Sequence, residues 1–129
     1  MVEAVDRNVG KVLRELEENK LREKTLIIFT SDNGGLSRKS GDHYGPTDNT
    51  PLRNGKGTLY EGGIRVPAII NWKGIIKPGE SEAIITSTDY FPTIMDFLGI
   101  DYSDTDGVSL VSHLTESNQL KINTIKNVH

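Results

Sequence analysis

The 129-residue chain contains no cysteine. Disulfides, thiolate metal sites and nucleophiles made from cysteine are therefore excluded for these residues. A basic stripe is missing as well: 15 Lys and Arg stand against 18 Asp and Glu, a formal net charge of -3. That balance argues against a nucleic-acid partner, whose phosphates demand clustered cations. No run approaches the ~18 apolar residues of a membrane span. The opening MVEAVDRNVG lacks the basic and apolar regions of a signal peptide. The expectation is a soluble, untargeted chain with room for one small domain, or part of one.

What is present is concentrated. Of 13 glycines, most fall between Gly34 and Gly79, which points to a middle of turns and close backbone approaches where any chemistry should lie. Before it, Val2, Val5, Val9, Val12, Leu13 and Leu16 recur at three- and four-residue steps and predict an amphipathic helix over about 2–19. Leu26 to Thr30 form an apolar run bounded by polar and glycine residues, the pattern of a strand covered on both faces as in parallel sheets. Val66–Trp72 reads as a second strand, with Pro67 at an edge, a strand start or a bulge, and EAIITS at 82–87 as a third. Asp89 is the expected N-cap of a helix running to Leu98, with Pro92 in its first turn, Gly99 as terminator and Phe91, Ile94, Met95 and Leu98 as its buried face. The last fifteen residues have no sustained period and are expected to be poorly ordered.

The first strand ends in SDNGG, residues 31–35. In parallel α/β sheets ligands collect at the carboxyl ends of strands, and Asp32 with Asn33 offers two oxygen-bearing side chains suited to a hard cation. The same residues are also ordinary turn chemistry, and locally the two readings stay open.

Three segments together are more specific: SDNGG, PLRNGKGTLYEGGIRVP at 51–67 and STDYFPTIMDFLGI at 87–100. This combination resembles the sulfatase family from the first helix to about Leu114. The resemblance implies an α/β fold, here a partial alkaline-phosphatase-like sandwich of a few strands with the N-terminal helix and a second helix near 89–98. Residues 1–114 would be the C-terminal part of a catalytic domain, and 115–129 a tail. It implies that Asp32 and Asn33 bind a divalent cation, usually calcium, beside a sulfate ester. Lys56 matches the sulfate-binding, catalytic lysine, whose compact ammonium can stabilise charge developing on the ester. Glu61 and Arg65 are expected to pair and support the loop. His43 is a weak candidate for substrate binding or proton transfer, set against an exposed loop histidine. Nothing is assigned to His113 or His129.

The resemblance is incomplete. Sulfatases use a formylglycine made from cysteine or serine in a Cys/Ser-x-Pro-x-Arg motif, and neither the cysteine nor the motif is in this sequence. The acidic pair that completes the family's cation site is also missing. The 129 residues alone are therefore expected to be inactive and to self-associate through an exposed sheet edge or apolar face. The parent substrate would be a sulfate ester, of a carbohydrate or an aryl compound, in a periplasmic, secreted or lysosomal setting. A non-catalytic anion-binding or interaction module is the alternative. Phosphoester chemistry is less favoured, because those relatives present other metal-ligand patterns.

Overall fold

The computed structural model describes residues 2–37 and 45–115. Their contacts divide the chain into two compact units, Met1–Trp72 and Lys73–His129.

The first unit opens with helix α1, Val2–Glu18. Its spacing works as read for Val9, Leu13 and Leu16, which are half-buried. Val2, Val5 and Val12 lie on the exposed side. The helix ends in a Schellman motif: Leu21 N–H bonds to Leu16 O at 2.8 Å and Lys20 N–H to Glu17 O at 3.0 Å. Lys20 takes the left-handed conformation, φ 56°, that such a motif requires. A 3-10 turn, Arg22–Lys24, follows. It latches onto the end of the second strand, where Trp72 Nε1 donates to Glu23 O at 2.8 Å and Arg22 to Asn71 Oδ1.

Strand β1, Ile27–Thr30, pairs with β2, Ala68–Asn71. Between them stands one helical turn, α2, Glu61–Ile64. Both strands lie within the apolar runs, and Pro67, for which an edge, a strand start and a bulge were open, immediately precedes β2. The pairing is antiparallel, however, with Ile27 opposite Asn71 and Thr30 opposite Ala68. The expectation of a parallel sheet covered on both faces is thus corrected. A continuous apolar run reports burial rather than strand direction, and here Phe29 and Ile69, directly across from each other, remain 36% and 58% exposed. Antiparallel pairing sets the carboxyl end of β1 beside the start of β2, so the chain of 31–67 leaves and returns at one end of the ribbon.

The buried residues of this unit among those described are Gly34, Gly55, Gly62 and Gly63. Its densest place is therefore a knot of backbone rather than an apolar core.

The second unit is organised by helix α3, Tyr90–Leu98. The predicted third strand is absent: Ala83 N–H goes to Ser81 Oγ at 3.1 Å and Thr86 N–H to Asp89 Oδ2 at 2.7 Å. Those amides have no donor left for a sheet ladder. Residues 87–89 instead form a 3-10 turn that Thr86 caps, in a capping box with Asp89. Asp89 precedes α3 as expected, but its side chain does not cap that helix. It faces backward, and its other oxygen accepts Val108 N–H at 2.9 Å.

The buried face also differs from the pattern. Phe91 and Leu98 are exposed, Ile94 and Met95 half-buried, while Pro92 and Thr93 are buried. Thr93, 1% exposed, donates to Asp89 O at 2.5 Å and accepts Leu110 N–H at 2.9 Å. Leu110 is itself buried, so a hydroxyl joins the helix to the segment leading into α4, Val111–Thr115. Phe91 finds an edge-on partner in Tyr102, ring centroids 5.9 Å apart. Gly99, φ 64°, ends α3 in a second Schellman motif, Ile100 N–H to Met95 O at 3.0 Å and Gly99 N–H to Asp96 O at 3.1 Å. Helix α4 is described as far as Thr115, and the expected tail beyond it lies outside the described residues.

Candidate functional site

Asp32 is exposed and Asn33 half-buried where β1 gives way to the turn. Ser31 Oγ donates to Asn33 O at 2.8 Å, and Asn33 Nδ2 to Gly34 O at 3.0 Å. Asn33 turns its NH2 group to the backbone, and its amide oxygen is of the type that can ligate a cation, as is the carboxylate of its sequence neighbour Asp32. The chemistry of these donors suits a hard ion. Their number is short: among the described residues no three His, Cys, Asp or Glu side chains gather to hold a metal.

The lysine loop is fastened to this turn by backbone. Lys56 N–H bonds to Gly35 O at 3.0 Å, Gly34 N–H to Gly63 O at 2.9 Å and Gly62 N–H to Arg53 O at 3.0 Å. Such contacts require close approach. A Cβ on Gly34 would stand 1.9 Å from Gly62 O, and one on Gly62 2.0 Å from Asn54 O. Thr58 Oγ1 bonds to Gly55 O at 2.8 Å, so the turn carrying Lys56 is tied at its far side too. Lys56 itself is exposed at the tip.

Glu61 and Arg65 do meet, Oε2 to Nη1 3.6 Å, with side chains 58% and 68% exposed. A surface pair of this kind contributes little, ~0–1 kcal/mol, so the backbone bonds are the stronger fastening. Arg53 stacks over the Tyr60 ring at 3.8 Å. Asp48 accepts Thr50 Oγ1 at 2.6 Å and Thr50 N–H at 2.9 Å, which holds its carboxyl below the usual 3.8. His43 lies outside the described residues.

One residue at this site was not anticipated. Asn49 Nδ2 lies 2.8 Å from Gly35 O, 3.0 Å from both Asn54 O and Gly62 O, and 3.2 Å from Ser37 Oγ. Its sequence surroundings, TDNTP, are those of any turn.

Comparison with known proteins decides the family. The profile described as Sulfatase matches residues 1–100. The chain belongs to the sulfatase family. A sulfatase of Formosa agariphila is 38% identical over 93% of this sulfatase chain, which covers 23% of that protein. Human steryl-sulfatase is 41% identical over 76% of the chain, covering 17% of the enzyme. Among solved structures, Ps i-CgsB in complex with k-i-k-neocarrahexaose superposes with a TM-score of 0.74 at 36% identity, over 85% of this chain and 24% of that one. PsFucS1 sulfatase from Pseudoalteromonas sp. gives 0.75 at 36% identity, over 90% and 24%. The architecture is accordingly a part of the alkaline-phosphatase-like α/β fold, and the chain spans about a quarter or less of the length of these relatives. No helix among the described residues is long and apolar enough to cross a membrane.

Proposed function

We propose that the chain is part of the catalytic region of a sulfuric ester hydrolase, in which Asp32 and Asn33 hold a divalent cation and Lys56 binds the sulfate group. The carrying observation is the bond from Lys56 N–H to Gly35 O, 3.0 Å, which fastens the lysine loop to the turn bearing both oxygen donors. These ligands suit a hard, oxygen-seeking cation, and the family resemblance makes calcium the choice. When bound it would supply positive charge to offset that of a sulfate ester. Asp32 and Asn33 would hold it, and the Lys56 ammonium would offset charge that develops as the ester bond breaks. Calcium takes ~6–8 oxygens, so residues other than these two complete the site.

Covalent attack on sulfur needs the formylglycine nucleophile. The sequence has no cysteine and no Ser-x-Pro-x-Arg motif to supply it, so these residues alone do not turn over a sulfate ester. The relative solved with a neocarrahexaose supports a sulfated carbohydrate as substrate of the whole enzyme. Self-association through the exposed sheet belongs to the same reading, since Phe29 and Ile69 form a paired apolar surface. Sedimentation of the chain should show oligomers that Ile69→Lys reduces, and monomers throughout would remove this part.

The lysine assignment is tested by titrating sodium sulfate into the labelled chain and following the Gly55, Lys56 and Gly57 amides. Lys56→Ala should weaken the response at least tenfold. An unchanged midpoint refutes the role of Lys56, and turnover of a chromogenic aryl sulfate that Lys56→Ala abolishes refutes the predicted inactivity.

A further inference from the structure

The Asn49 carboxamide sits where three backbone carbonyls converge. Gly35 O belongs to the turn after Asp32 and Asn33, Asn54 O precedes the lysine loop, and Gly62 O lies in α2, each within 3.0 Å of Nδ2. Ser37 Oγ, at 3.2 Å, also donates to Asn54 O at 2.9 Å. Two amide hydrogens thus serve four acceptors drawn from separate stretches of chain. Carbonyl dipoles with their negative ends aimed at one point repel each other, and a donor at the focus turns that repulsion into attraction.

The space around the amide is closed. A Cβ on Gly35 would lie 2.4 Å from Asn49 Oδ1, and one on Gly55 2.9 Å from Asn49 Nδ2. Gly55 and Gly35 are also the residues whose backbone meets at Lys56, because Lys56 N–H bonds to Gly35 O. The carbonyl that receives the Lys56 amide is therefore the one that Asn49 approaches most closely.

We infer that Asn49 is a positioning residue: its carboxamide sets the separation between the Asp32–Asn33 turn and Lys56. The consequence for sulfate rests on the assignment of Lys56 made above. The consequence for geometry does not, and the two are separately measurable.

The test compares amide hydrogen exchange in the wild-type chain, Asn49→Asp and Asn49→Ala. Lys56 N–H and Gly34 N–H report the knot, while Leu21 N–H in the α1 terminus and Leu110 N–H in the second unit report the rest. Aspartate keeps the shape of asparagine but, when ionised, has no hydrogen to donate and turns a negative charge toward the carbonyls. At pH 7 protection at Lys56 and Gly34 should fall at least tenfold in Asn49→Asp, with Leu21 and Leu110 unchanged. Acidification that protonates the new carboxyl should restore part of that protection, relative to wild type at the same pH. Asn49→Ala, which lacks both donor and charge, should lose protection at both pH values. The inference is overturned by wild-type protection at Lys56 and Gly34 in Asn49→Asp, by their lack of protection in the wild type, or by an equal loss at all four amides in both variants. The sulfate midpoint should rise at least tenfold in Asn49→Asp. If Lys56→Ala leaves the sulfate response intact, the lysine assignment fails while the exchange result still decides the role of Asn49.

Discussion

Replacing Thr93 by valine removes one oxygen and nothing else of consequence in shape. The hydroxyl is buried, receives Leu110 N–H at 2.9 Å and donates to Asp89 O. In the valine variant the Leu110 amide keeps its burial and loses its acceptor, a penalty of ~1–3 kcal/mol. The added methyl offsets part of this, since burying such a group is worth ~0.8 kcal/mol. A net loss of ~1–2 kcal/mol is expected, a large share of the ~5–15 kcal/mol by which domains are ordinarily stable. Native-state hydrogen exchange at Leu110 reads it directly, as protection reduced about five- to thirtyfold. Thr93→Ser supplies the control, because it keeps the hydroxyl and leaves a small cavity: Leu110 should stay better protected there than in the valine variant. The reasoning fails if Thr93→Val retains wild-type protection at Leu110, or if serine and valine are equally damaging.

Three further outcomes follow from features of the same chain. Gly34→Ala sets a Cβ 1.9 Å from Gly62 O, so the knot has to open; sulfate response at Lys56 and protection of Gly34 should both be lost, and a variant that keeps them contradicts the packing. Lys20→Gly relieves a left-handed lysine at φ 56° and should raise stability by ~1 kcal/mol in urea unfolding followed by the α1 helical signal; a lower midpoint denies the strain. Tyr102 is held above its usual 10.0 by desolvation, then by the Asp96 carboxylate and its hydrogen bond. Since the folded state favours the neutral phenol, that contribution is present below pH 10.0 and lost as pH rises through the folded value. Absorbance titration should place the midpoint above 10.0, and Asp96→Asn should lower it; an unmoved midpoint dismisses Asp96 as a cause.

The sequence disclosed elements better than their partners. Helix α1 is legible because three- and four-residue spacing is a direct consequence of helical pitch, and both strands because apolar runs flanked by glycine have few other uses. Strand direction leaves no such trace. The predicted strand at 82–87 failed on its amides: Ala83 and Thr86 spend their N–H groups on Ser81 and Asp89, and hydropathy says nothing of where an amide is spent. The α3 face failed in the same manner, with a threonine buried by its two hydrogen bonds while Phe91 and Leu98 stand exposed.

At the candidate site, the choice of Asp32, Asn33 and Lys56 rests on the longer motif that contains them. Local composition around each is that of a turn. Asn49 was illegible even so, because its contribution depends on three carbonyls brought together from residues 35, 54 and 62, a convergence that exists only after folding.

Thr30 and Ala68 are paired across the ribbon, so the chain between them departs from and rejoins the ribbon at a single place. The residues that flank it, Thr30 and Ala68, are opposite positions on adjacent strands, about 4.5–5.5 Å apart between Cα atoms. Any antiparallel hairpin offers that spacing. Its described parts carry their own internal fastenings, from Gly34 to Gly63 and from Lys56 to Gly35. With Lys56 in the sulfate-binding role proposed above, a host β-hairpin that accepts these two ends would carry that loop between its strands.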